Sequence, residues 1–258
     1  MPVAQAQDGA SLAYRTRGTG SRNVLFLHAW GASGNYFEEM VDHLDLSVVR
    51  AITLDLRGHG DSSKADVELT WDVLGGDVFS VADAAGARSF VVIGHSMGGK
   101  LAQYLPLIEP SRIQALVLVA SPSAGTLATP PEVAGWVELA GNAQALVDHT
   151  VRPYILAPVP EPVLRRFGED AAKIPRAFLE KTKDLVVSTS FIERVGAIHA
   201  PVLVVTGSRD PLHSAAAAAL SGSLPHARIE TLDCGGEIPM ELPAELADLI
   251  MRFVEGLD

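Results

Sequence analysis

Five consecutive residues, Gly94-His95-Ser96-Met97-Gly98, set a serine hydroxyl at a point where the chain changes character. Directly before them runs Phe90-Val91-Val92-Ile93, an apolar, β-branched stretch suited to a strand. Directly after them a helical period opens. A G-x-S-x-G pattern between a strand and a helix has the punctuation of a nucleophile elbow, a turn so tight that the flanking residues must be small. Gly94, Gly98 and Gly99 meet that need. Such a turn holds the Ser96 hydroxyl clear of the backbone above a helix N-terminus. With a base beside it, a hydroxyl there attacks a carbonyl and carries a covalent intermediate. The plainer alternative is a glycine-rich turn whose serine caps the following helix.

Holding a serine in that way takes a sheet, and the sequence supplies one. Nearly continuous apolar runs at 24–28, 48–55, 90–94, 113–120 and 202–207 predict strands covered on both faces by helices. A last strand is expected at 228–232, and Asp8-Gly9 suits a tight turn between two short N-terminal strands. The clearest helical period is the final one. There Leu242, Leu246, Leu249, Ile250 and Phe253 share a face, and Pro243 suits the first turn. The alanine run at 215–219 reads as the surface of another helix. Strands alternating with helices predict an α/β fold with a doubly wound, mostly parallel sheet and right-handed crossovers. One stretch breaks the rhythm. From 121 to 194 there is no strand pattern, only short helical periods between Pro130-Pro131, Pro153, Pro158, Pro160, Pro162 and Pro175. This predicts a helical cap over the sheet, inserted into a core made of 1–120 and 195–258.

Composition narrows the partners. In 258 residues the hydrophobic share is 48% and the charged share 20%, as in soluble globular enzymes. A net charge of −11 argues against nucleic acid or an anionic membrane as partner, since both need a basic face. No apolar run is long enough to span a bilayer, and residues 1–9 lack the basic and apolar regions of a signal peptide, so a cytoplasmic enzyme is expected. Cys234 is the single cysteine and has no intramolecular disulfide partner. Neither a His-Glu-x-x-His metal pattern nor a glycine-rich phosphate loop is present, so no metal and no cofactor are expected. These patterns carry no statement of oligomeric state.

The order of the segments resembles the α/β-hydrolase superfamily over nearly the whole chain. His28-Ala29-Trp30-Gly31, after the third strand, is close to the family's His-Gly-x-Gly oxyanion loop, with Ala29 in place of the usual glycine. The resemblance implies that the backbone amides of Trp30 and Met97 are the two oxyanion donors. The Trp30 side chain reads equally as a substrate contact or a core aromatic. Asp55-Leu56-Arg57-Gly58-His59-Gly60-Asp61-Ser62 is similar to a loop that is structural in the family, which assigns no chemistry to His59. Thr206-Gly207-Ser208-Arg209-Asp210-Pro211 falls where the family keeps its acid, which implies Asp210; an aspartate opening a turn before Pro211 is the alternative. A serine at the elbow departs from the epoxide-hydrolase and haloalkane-dehalogenase branches, which use an aspartate.

The resemblance fails at one position. The family places Gly-His, an apolar residue and Pro after the last strand. Here Gly235-Gly236-Glu237-Ile238-Pro239 puts Gly236 where the base histidine belongs, and no histidine follows His226. Without a base a serine hydroxyl is a poor nucleophile, and losing one triad member leaves only about 10³–10⁴-fold over water. The chain is therefore expected to be nearly inactive in ester hydrolysis. Three explanations stand: a histidine replaced so as to trap a bound substrate, a natural non-catalytic relative such as a ligand receptor, or another histidine serving as base. For the last, His213 lies three residues after Asp210, His28 and His95 lie in site loops, and His149 lies in the insertion. Packing suits His28 and His95 better, and Glu237 is a weaker base whose side chain is expected to point elsewhere. The parent activity implied is a serine hydrolase of a small hydrophobic ester or lactone, through an acyl-enzyme on Ser96. Trp136, Leu139, Leu146, Tyr154, Leu156 and Phe167 give the cap apolar material, with Trp30, Trp136 and Tyr154 as the expected substrate contacts. Rivals are a non-enzymatic binding protein, or a lyase, cofactor-free oxygenase or perhydrolase on the same fold.

Overall fold

A computed structural model describes residues 1–128 and 135–257, apart from the side chains of 214–216; Pro130-Pro131 lies outside the described residues. The expected strands form. They are β1 (Val3–Gln5), β2 (Ser11–Arg17), β3 (Arg22–Leu27), β4 (Val49–Leu54), β5 (Phe90–His95), β6 (Ile113–Val119), β7 (Val202–Gly207) and β8 (Ala227–Leu232). They make one sheet in the order β1-β2-β4-β3-β5-β6-β7-β8. The two N-terminal strands pair antiparallel, β2 joins β4 antiparallel, and every later pairing is parallel. β5, which ends at the candidate serine, is central and buried along its whole length. β8 forms the edge and is mostly exposed.

Helices cover both faces, as buried parallel strands require. In chain order they are α1 (Glu38–Asp42), α2 (Trp71–Ala84), α3 (Met97–Ile108), α4 (Ala143–Leu146), α5 (Glu161–Ala171), α6 (Arg176–Ser188), α7 (Ser214–Ser223), α8 (Ile238–Glu241) and α9 (Pro243–Glu255). The final period behaves as read: Leu246, Leu249, Ile250 and Phe253 are buried on α9 and Leu242 stands at its N-cap. Two hydrophobic clusters, one on each face of the sheet, form the core.

Between β6 and β7 the described residues contain helices and no strand. This segment shares the core instead of folding apart from it. Leu146, Val147, Val151, Val163, Leu164 and Phe167 belong to the same buried cluster as β3, β5 and α9. Polar ties reinforce the contact. Asp170 accepts from Ser33 Oγ (2.8 Å) and Asn35 Nδ2 (2.7 Å), and Arg166 pairs with Glu39. On α3, Lys100 is fully buried and donates from Nζ to the carbonyls of Gly125, Val186 and Thr189 at 2.5–2.9 Å. Burial lowers its pKa to about 8.

Candidate active site

Backbone sterics build the nucleophile side. Ser96 has φ 49° and ψ −115°, a conformation costly for any residue with a Cβ, held by Ser96 N–H on the Val119 carbonyl (3.0 Å) and by α3 starting at Met97. The glycines are required by contact. A Cβ at Gly98 would run into the Leu27 and His28 carbonyls, one at Gly94 into the Gly98 carbonyl, and one at Gly99 into the Ser121 side chain. Among the described residues, neither the Ser96 hydroxyl nor the Trp30 and Met97 amides make a hydrogen bond within the protein. Two free donors beside a half-buried, unbonded hydroxyl are what an oxyanion loop presents to substrate.

The histidines sort cleanly. His28 Nε2 accepts from Leu56 N–H (3.0 Å), so Nδ1 carries the proton and donates to the Ala29 carbonyl (2.8 Å). Burial lowers its pKa to about 4, and that of His59 to about 3. Both are neutral packing groups. In the same loop Arg57 bridges Asp77 and Asp8, and Asp55 accepts from Gly34 N–H and Asp61 N–H, a structural role as the resemblance implied. His95 donates from Nε2 to the Gly236 carbonyl (2.9 Å) and stacks on Tyr36 with centroids 5.0 Å apart. Burial lowers its pKa to about 4. His95 thus fastens the loop after β8 to the strand that carries Ser96. His43, His149, His199 and His226 are exposed and away from the site.

Asp210 is buried where the acid was expected, but its carboxylate is already engaged. Its Oδ1 accepts from the Leu212 amide (2.8 Å) and the His213 amide (3.2 Å), and its Oδ2 meets His213 Nδ1 at 3.0 Å. Burial works to raise this carboxyl, but the His213 contact and the two amides outweigh it and hold it below the usual value. Gly236 stands across from the same group. A Cβ built on it would lie 3.2 Å from Asp210 Cγ and Oδ1, so a side chain there points straight at the acid. The Gly236 amide donates to the Tyr154 carbonyl (3.0 Å).

Glu237 is among the residues lining the smaller space beside Gly236, and its carboxylate is taken up by Tyr36, accepting from Oη at 2.5 Å. Burial and the charges of Glu241 and Asp210 push its pKa up to about 7. Sequence reading missed Glu241, whose buried carboxylate accepts from the amides of Leu156 (2.7 Å), Ala157 (2.7 Å), Gly235 (3.1 Å) and Glu237 (3.2 Å). One anion therefore ties the loop after β8 to the inserted segment. A glutamate four residues after Glu237, at the end of a short helix, was the only available signal.

Two adjoining cavities open at Ser96. The larger, of about 270 Å³, is apolar and lined by Trp30, Met97, Leu127, Trp136, Val186 and Leu212 among others, with Lys183 and His213 as its titratable members. The smaller, of about 50 Å³, lies among Ser96, Asp210, His213, Gly236, Glu237 and Tyr154. Trp30 and Trp136 line both, with ring centroids 5.8 Å apart, and Trp30 Nε1 donates to the Leu179 carbonyl (3.0 Å). Tyr154 reaches only the smaller cavity, and Leu156 is 45% exposed and lines neither. Leu127, Val186 and Leu212 were not foreseen, because no periodicity distinguishes a wall residue from one packing on the sheet. Among the described residues no group of three histidine, cysteine or acidic side chains could hold a metal, and no helix is long and apolar enough to cross a membrane.

Residues 22–176 match the family model described as the alpha/beta hydrolase fold. A dihydrolipoyllysine-residue acetyltransferase component of the acetoin cleaving system from Cupriavidus necator is 34% identical over 112 residues, 43% of this chain and 30% of that protein. The chain spans less than half the length of such curated relatives. The enol-lactonase from Burkholderia xenovorans LB400 superposes with a TM-score of 0.87 at 22% identity, over 98% of this chain and 100% of that one, a likeness of fold. A hydrolase from Pseudomonas aeruginosa PA01 does so at 0.85 and 26% identity, over 98% and 97%. The chain belongs to the α/β-hydrolase fold family.

Proposed function

We propose that this member of the α/β-hydrolase fold family is a serine hydrolase of small hydrophobic carboxylic esters or lactones, working through an acyl-enzyme on Ser96. The observation that carries the reading is the strained Ser96, unbonded, at the junction of an apolar cavity and a free pair of amides at Trp30 and Met97. A substrate carbonyl laid against those amides meets the hydroxyl, and the developing oxyanion takes both donors; losing one such donor typically costs ~10²–10³-fold. The likeness to a hydrolase at 26% identity supports a hydrolase reading.

At about 270 Å³ the cavity sits at the low end of ligand pockets, which favours a short acyl chain or a small lactone ring. Trp30 and Trp136 would grip its apolar part, with Tyr154 behind the reacting centre. The segment between β6 and β7 serves as the cap that closes over it. No cofactor enters this chemistry, and a protein of net charge −11 suits a small-molecule substrate in the cytoplasm.

The test is acylation. Mixing the protein with a short p-nitrophenyl ester and a panel of lactones, then digesting and weighing the peptides, should find the acyl group on Ser96 and none after Ser96→Ala. Turnover without a Ser96 adduct in acid-quenched samples, unchanged by Ser96→Ala, overturns the reading. A binding protein is the second reading, favoured by the glycine at position 236; it predicts ligand retention without any adduct.

A further inference from the structure

We propose that His213 is the general base for Ser96, with Asp210 behind it, so that the acid and the base sit on one turn after β7 and Gly236 is no defect. This deepens the hydrolase reading and rests on it.

The geometry supports each part of the role. Asp210 Oδ1 takes the amides of Leu212 and His213, which folds the chain back and brings the His213 ring onto Oδ2 at 3.0 Å. A carboxylate only accepts, so Nδ1 carries the proton, and in the neutral ring Nε2 then presents the lone pair, the tautomer a base requires. Nε2 makes no hydrogen bond to another described residue, and the side chain is 15% exposed. The ring lines both cavities at which Ser96 stands. Position 236 and His213 also address the same carboxylate, since a Cβ at 236 would lie 3.2 Å from Asp210 Oδ1. An imidazole at 236 would have to share its orienting partner with one already in place.

The proton path balances. As Ser96 Oγ bonds the acyl carbon, Nε2 takes its proton. As the acyl carbon releases the alkoxide, Nε2 returns that proton to the leaving oxygen. Water then gives a proton to Nε2 and its oxygen to the acyl carbon. The acid leaves, and Ser96 recovers its hydrogen. Asp210 stays ionised throughout.

The experiment compares four chains on p-nitrophenyl butyrate: the protein, His213→Gln, Gly236→His and the double variant His213→Gln/Gly236→His. The protein should turn over, and His213→Gln should lose about 10³-fold or more in kcat with the Ser96 adduct still detectable on long incubation. The double variant should regain much of the loss. His213→Ala, checked for folding by its melting transition, should recover activity in added imidazole, while the protein itself should not respond. Full activity in His213→Gln would overturn the proposal and leave the hydrolase reading standing. So would a silent protein that Gly236→His or imidazole awakens. Silence in all four chains, with no adduct at Ser96, would overturn both.

Discussion

The two sides of the site are built on different principles. On the nucleophile side, backbone meets backbone. Gly98 packs on the Leu27 and His28 carbonyls and Gly94 on the Gly98 carbonyl, so one residue type fits each position. On the side of Asp210, proposed as the acid, side chains are joined through loops. Asp210 holds His213 from one turn, while Gly236 faces the same carboxylate from another loop and leaves a cavity of about 50 Å³. The difference teaches which chemistry a fold enforces. An elbow admits no substitute, whereas an imidazole can reach a carboxylate from more than one point on the backbone.

The sharpest way to break this contrast is to add one methyl group on each side. Gly98→Ala should cost about 3 kcal/mol or more, because the obstruction is backbone that cannot yield. Gly236→Ala should stay within about 1 kcal/mol, because Asp210 has only to shift slightly. Urea unfolding of both variants checks this, and comparable losses would erase the distinction. A smaller effect should follow from Glu241→Gln. The amide keeps one acceptor oxygen and turns an NH₂ toward backbone donors, so about 1–3 kcal/mol should be lost. Urea midpoints should reveal it, together with loss of exchange protection at the Leu156 and Gly235 amides.

A further effect depends on pH. Glu237 has its pKa raised to about 7 from 4.5, so the folded chain holds a proton there that the unfolded chain has released. Stability from this group is fully present below about pH 4.5 and is lost as pH rises through 7. Glu237→Gln keeps an acceptor for Tyr36 and removes the titration. Its melting temperature relative to the parent should therefore rise between pH 5 and pH 8; a constant difference would show that Glu237 does not titrate in that window.

The sheet was legible because buried parallel strands must be apolar throughout, and the elbow because its turn admits only small residues. Asp210 was legible from its place after β7. The sequence offered His213 only as one of several alternative bases, because the family pattern drew attention to Gly236, while its contact with Asp210 depends on an aspartate capping its own turn. His213 stood in the sequence three residues after Asp210, yet only the Leu212 and His213 amides on Oδ1 bring the ring back. The partner of Glu237 was not legible for a similar reason: its direction is set by Tyr36, 201 residues distant in sequence. The cavity wall was half legible, with Trp30 and Trp136 foreseen and Leu127, Val186 and Leu212 not.

Lys100 bears on how the inserted segment is attached. Its ammonium grips Gly125, where the chain leaves for the inserted helices, and Val186 and Thr189, where it comes back. Swinging the insertion open like a jaw would pull both gateposts off one buried charge and strand it in an apolar wall, at a cost of several kcal/mol. Both ends of the insertion are therefore rooted on α3 by a single ammonium, which fixes the inserted helices at their base and leaves no hinge there.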